Sequence, residues 1–147
     1  MKIYKVEHIY DKSLYINVEG HLLGYFSSKT GAEKTVEFFK PIKGFCDYPD
    51  GFIITELPLN CTRKPIYLYQ IWYYIHDKNY DYEYGKYLDL NLYTNKKEAV
   101  KAKSRFERLN KEEIKKCPLE IESGINRWKL DEKTKEWHDG FEVYVGG

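Results

Sequence analysis

Four histidines, His8, His21, His76 and His138, have the chemistry to bind a transition metal or to move a proton near neutral pH. None stands in H-x-x-x-H or H-E-x-x-H spacing, so a zinc site would have to gather its ligands from distant strands. Satisfied or solvent-facing imidazoles are the simpler expectation. The three cysteines, Cys46, Cys61 and Cys117, are odd in number and widely spaced, which supports neither a disulfide framework nor a C-x-x-C metal motif. Cys46 adjoins Asp47, and a neighbouring carboxylate works against the lowered thiol pKa that a nucleophile needs. Asp47, Asp50 and Glu56 could act as paired carboxylates, which makes the turn residues Asp47, Tyr48 and Asp50 a candidate site. Turn aspartates more often hydrogen-bond their own backbone. No phosphate-binding G-x-x-x-x-G-K-[ST] or G-x-G-x-x-G motif follows a strand. The residues therefore predict no catalytic group, no metal site and no cofactor.

Binding chemistry is more legible. Aromatic residues make up 17% of the chain, with 15 tyrosines. Tyrosine suits strands, and it also supplies stiff, half-polar contact area at interfaces. The segment Tyr80-Asp81-Tyr82-Glu83-Tyr84 alternates rings with carboxylates, and Asp77 stands just before it. These six residues are the candidate partner-binding set: the carboxylates would meet a basic face and the rings would supply area. The alternative is that the rings alternate inward along an extended hairpin. Lys96, Lys97, Lys101, Lys103, Arg105 and Arg108 make a second helix locally basic, while Glu98, Glu107, Glu112 and Glu113 dilute it. With 24 Lys and Arg against 23 Asp and Glu, the chain has no basic excess, which argues against a nucleic-acid partner.

The elements that must position these residues follow from periodicity. Ile3 to Tyr10 and His21 to Phe26 alternate as strands, with Gly24 marking a bulge or a close backbone approach. Ser27-Ser28, or a box from Thr30 to Glu33, caps a helix that carries Ala32, Val36 and Phe39 on one face and ends before Pro41. Pro49-Asp50-Gly51 is a turn into a strand from Phe52 to Leu57. After a polar link over 60–65, strands are expected over 66–75 and 86–93, separated by a polar loop at 76–85. Asn95 and Glu98 cap a second helix with the stripe Ala99, Ala102, Phe106 and Leu109. Glu112 to Lys116 adds a helical turn, and Ile125 to Asp131 and Glu136 to Val145 read as strands.

The chain repeats itself weakly. From Phe26 to Phe39 the offset to the second half is a constant 67, matching Ala32 with Ala99 and Phe39 with Phe106. Pairing Ile3-Tyr4 with Ile66-Tyr67 gives an offset of 63 and about four extra residues in the later loop. The predicted fold is α+β: two degenerate strand-strand-helix-strand halves, 1–60 and 66–147, sharing one mostly antiparallel sheet in one compact domain with both helices on one face. At 147 residues, 42% hydrophobic and 32% charged, the composition is that of a globular protein. The start lacks an apolar signal core, and no run reaches the roughly 18 apolar residues of a membrane span, so a soluble cytoplasmic protein is expected.

The first half resembles a small family of uncharacterised bacterial domains. The resemblance lies in the Tyr- and His-bearing strand Tyr4 to Tyr10, the helix start Gly24-Tyr25-Phe26-Ser27-Ser28, and the Gly-Phe-x-Asp-Tyr-Pro-x-Gly-Phe turn from Gly44 to Phe52. The family's terminal Trp-x-x-Gly-Phe stands only in the second half, as Trp137 to Phe141, and that half lacks the turn. The family brings no activity with it. The compact size and style look like those of bacterial immunity proteins, an analogy that implies a non-enzymatic protein that plugs a cognate toxin. Two other readings stay open: a small-molecule binder or enzyme using a cleft between the halves, and a homodimer paired through an open strand edge.

Overall fold

The computed structural model describes residues 1–9, 20–77, 86–112 and 119–135. Their order is β1 (Lys2–Ile9), β2 (Gly20–Phe26), α1 (Lys29–Phe39), a 3-10 turn at Pro49–Gly51, β3 (Phe52–Pro58), β4 (Tyr67–Asp77), β5 (Lys86–Tyr93), α2 (Lys96–Leu109) and β6 (Leu119–Lys129). The chain divides into two compact units, Met1–Lys64 with Lys129–Gly147, and Pro65–Trp128. The class is α+β, and each half reads β-β-α-β as the sequence predicts. Among the described residues the strands form two three-stranded antiparallel sheets, ordered β2-β1-β3 and β5-β4-β6, in place of the one shared sheet expected. In each half the first strand is central and takes both neighbours from its own half. The outer edge of β2 is also occupied: the Tyr25 carbonyl accepts from the Asp131 amide at 2.9 Å and the Leu23 carbonyl from the Thr134 amide at 2.8 Å.

In the first unit alternation along β1 turns Tyr4, Val6 and His8 to one side. Val6 is buried there with Leu23, Phe26, Ala32, Phe39 and Phe45, and Tyr4, Val36, Ile42, Phe52 and Ile54 pack around them. Each large apolar side chain removed from water in this way contributes about 1.5–3 kcal/mol. Ser28 is the N-cap of α1, its hydroxyl accepting from the Gly31 amide at 3.1 Å, so the Thr30–Glu33 alternative is not used. The helix ends at Pro41, which has no amide proton to carry the ladder on. In the second unit Ile71, Tyr73 and Ala99 form the core with Tyr69, Tyr93, Ala102, Phe106 and Ile125. Asn95 caps α2 by accepting from the Lys97 amide at 2.7 Å.

Strand pairing fixes the repeat more sharply than the sequence does. Tyr4 faces Phe26, and Tyr69 faces Tyr93. The second strands thus differ by 67 in number and the first by 65, so the correct partner of Ile3 is Leu68 and the later hairpin is longer by two residues, not four. Both hairpins also slip by one residue at the matching place, after Val6 in the first and between Gln70 and Trp72 in the second. In the first, Gly24 sits at the slip with φ 149°, and a Cβ there would lie 2.9 Å from the Glu132 carbonyl oxygen. The sixth strand, Leu119–Lys129, begins before the expected Ile125 and stops short of Asp131. The expected strand Glu136 to Val145 and the Trp137–Phe141 motif lie outside the described residues. Among the described residues no helix is long and apolar enough to cross a membrane.

Candidate functional site

The turn singled out by Asp47, Tyr48 and Asp50 folds back onto β1. Amide-to-carbonyl bonds from Cys46 to Ile42, Tyr48 to Phe45 and Gly51 to Tyr48, each 3.0–3.1 Å, wind it tightly. Winding buries Phe45 completely and leaves Cys46, Asp47 and Asp50 exposed and Tyr48 half-buried. The Tyr48 carbonyl lies 2.9 Å from His8 Nε2. A carbonyl only accepts, so Nε2 carries the proton. His8 is fully buried, with the rings of Phe52 and Phe45 centred 4.6 and 4.9 Å away. His21 faces it across the β1–β2 ladder, 5.8 Å from Phe45. Burial holds the His8 pKa below that of a free imidazole, against an opposing pull from the Tyr48 carbonyl. For His21 burial does the same, aided by repulsion from His8. Gly51 completes the closure: a Cβ there would meet the Ile9 carbonyl oxygen and stand 3.0 Å from His8 Nε2. The turn thus acts through its backbone and its phenylalanines, as a cover over His8, while its two carboxylates point to solvent.

Of the candidate partner-binding residues, Tyr80, Asp81, Tyr82, Glu83 and Tyr84 lie outside the described residues. Asp77 is the last residue of β4, and its side chain is likewise outside them. Among the described residues no group of three or more His, Cys, Asp or Glu is placed to hold a metal ion.

The solvent face of α2 departs from the expected apolar stripe. Ala99, Ala102 and Phe106 pack inward as expected, but Leu109 is 74% exposed and does not belong to the core stripe. Val100 is 46% exposed. At 100° per residue, Lys97, Lys101, Arg105 and Arg108 fall in one outward stripe, with Val100 on one flank and Leu109 on the other. Among the described residues Lys101 pairs only with Glu98, at 3.8 Å, and Lys97, Arg105 and Arg108 make no ion pair. The signal was in the sequence: Val100 is an aliphatic residue off the apolar stripe, between basic ones. No family model, no curated protein and no solved structure matches this chain.

Proposed function

We propose that this chain is a non-enzymatic protein-binding module, in its most specific form an immunity-type inhibitor that blocks a toxin by steric plugging. The observation that supports the reading is the outward face of α2, where two exposed aliphatic side chains flank a stripe of cations. Arginine set beside apolar contact area suits a protein interface, where the guanidinium forks onto carboxylates and its stem covers carbon. The Tyr80–Tyr84 segment would add a second contact of opposite sign.

The test is titration calorimetry against any toxin domain that the flanking genes encode, with that toxin's activity assayed in parallel. Stoichiometric binding at or below micromolar Kd together with loss of toxin activity is expected. Absence of binding, or binding that leaves the toxin active, contradicts the inhibitor reading. Light scattering over a concentration series separates it from pairing of two copies through a sheet edge.

A further inference from the structure

We infer that the outward face of α2 docks an acidic, partly apolar protein segment, which deepens the protein-binding reading and rests on it. The duplication supplies an internal control for this face. Helices α1 and α2 align at an offset of 67, share the N-cap position as Ser28 and Asn95, and bury the same alanine, Ala32 and Ala99. The fold therefore asks the same of both. Their solvent faces nevertheless differ. Helix α1 carries two basic and two acidic residues, and α2 carries six basic and two acidic. Where α1 has Glu33 and Glu37, α2 has Val100 and Ser104.

On α1, Glu37 meets Lys40 at 3.0 Å, and Lys133 Nζ sits 4.4 Å from the centroid of the half-exposed Phe38 ring. The matching position on α2 is Arg105, which has no such neighbour among the described residues. Lys96 and Lys97 stand in the first turn of α2, where the helix dipole disfavours cations, so helix stability does not account for them. A basic stripe that the repeat does not require is complementary to a row of carboxylates. Val100 and Leu109 on its flanks select a protein over a nucleic acid, because a phosphate backbone offers no apolar surface to cover them.

The probe is a synthetic amphipathic helix with glutamates at i, i+4, i+8 and i+11 and leucines beside them, titrated by fluorescence anisotropy at physiological ionic strength. K101E/R105E is expected to weaken binding at least tenfold, and a Glu→Gln version of the peptide is expected to lose as much. K34E, at the α1 position that matches Lys101, is expected to leave binding unchanged. Circular dichroism checks that the reversals fold, and K101Q/R105Q serves if they do not. Equal affinity of wild type and the α2 variants, equal loss in K34E, or tighter binding of a single-stranded oligonucleotide of the same charge would each overturn the inference. The toxin assay is separate: inhibition that survives K101E/R105E would remove α2 from the interface and leave the inhibitor reading standing.

Discussion

His8 and Tyr73 occupy the same position of a duplicated strand. His8 faces His21 where Tyr73 faces Leu88, one residue past the matching register slip in each hairpin. Both are buried, at 0% and 1% exposure, on the helix-facing side of their sheet. Each turns its polar tip to a backbone carbonyl, His8 Nε2 to Tyr48 at 2.9 Å and the Tyr73 hydroxyl to Lys103 at 3.4 Å. Burial, and then the Glu107 carboxylate beside it, push the Tyr73 pKa up to about 12. One position in the two copies thus carries an imidazole whose pKa burial lowers in one and a phenol whose pKa burial raises in the other.

The first unit is accordingly expected to be acid-sensitive. An unfolded imidazole titrates near 6.5, and both His8 and His21 take up their proton at lower pH in the fold. In that window the unfolded chain holds more protons, so stability is full above about pH 7 and falls as pH drops below the unfolded value. Thermal unfolding of wild type and His8→Phe between pH 5 and 8 checks this. The variant's profile should be flatter. An identical slope in both would show that His8 does not carry the effect.

Gly51 leaves no room for a side chain between the Ile9 carbonyl and His8. Gly51→Ala is expected to cost about 1–3 kcal/mol, the usual penalty of forced overpacking. Urea unfolding of the purified variant measures it, and a change under about 0.3 kcal/mol would mean that the turn moves aside freely.

Asp131 ties the returning chain to the start of α1. Its carboxylate accepts from the Ser27 amide at 2.7 Å and from the Ser27 hydroxyl at 2.7 Å, and pairs with Lys64 at 2.6 Å. Burial alone would raise its pKa, but Lys64 and the Ser27 bonds outweigh that and hold it low. The stability this gives is present above the unfolded value of 3.8 and is lost as pH falls through the lower folded value. The backbone at Asp131 has φ 66°, a region that Asp and Asn tolerate better than most residues. Asp131→Asn keeps that tolerance and removes the charge, so it isolates the carboxylate. It is expected to cost about 1–2 kcal/mol and to speed hydrogen exchange at Ser27, Asp131 and Thr134. Unchanged exchange there would sever Asp131 from the latch.

The helices and the repeat were legible because helical period and capping are local. Ser28 and Asn95 sit where a cap is wanted, and the offset of 67 aligns the helices without a gap. The strands were harder. Tyrosine-rich stretches give no unique register: similarity of residue type pairs Ile3 with Ile66, while pairing across the hairpin assigns it to Leu68. Two separate sheets could not be read from alternation, because alternation reports which face is buried and not which strand lies next door. The role of the Asp47–Asp50 turn was hidden for a similar reason. Its carboxylates drew attention, yet its work is done by the Tyr48 carbonyl and by Phe45, which reach a histidine 40 residues away in sequence. Leu109 continues the helical stripe in sequence, but it falls at the last residue of α2, beyond the sheet-packed turns.

The central claim is that the two copies share a fold while only the second one presents a docking face. Hydrogen–deuterium exchange of the free protein and of its complex with the acidic amphipathic peptide tests that claim most directly. Amides of α2 should slow at least tenfold on binding while those of α1 stay as they were. Equal slowing in both helices, or none in α2, would contradict it.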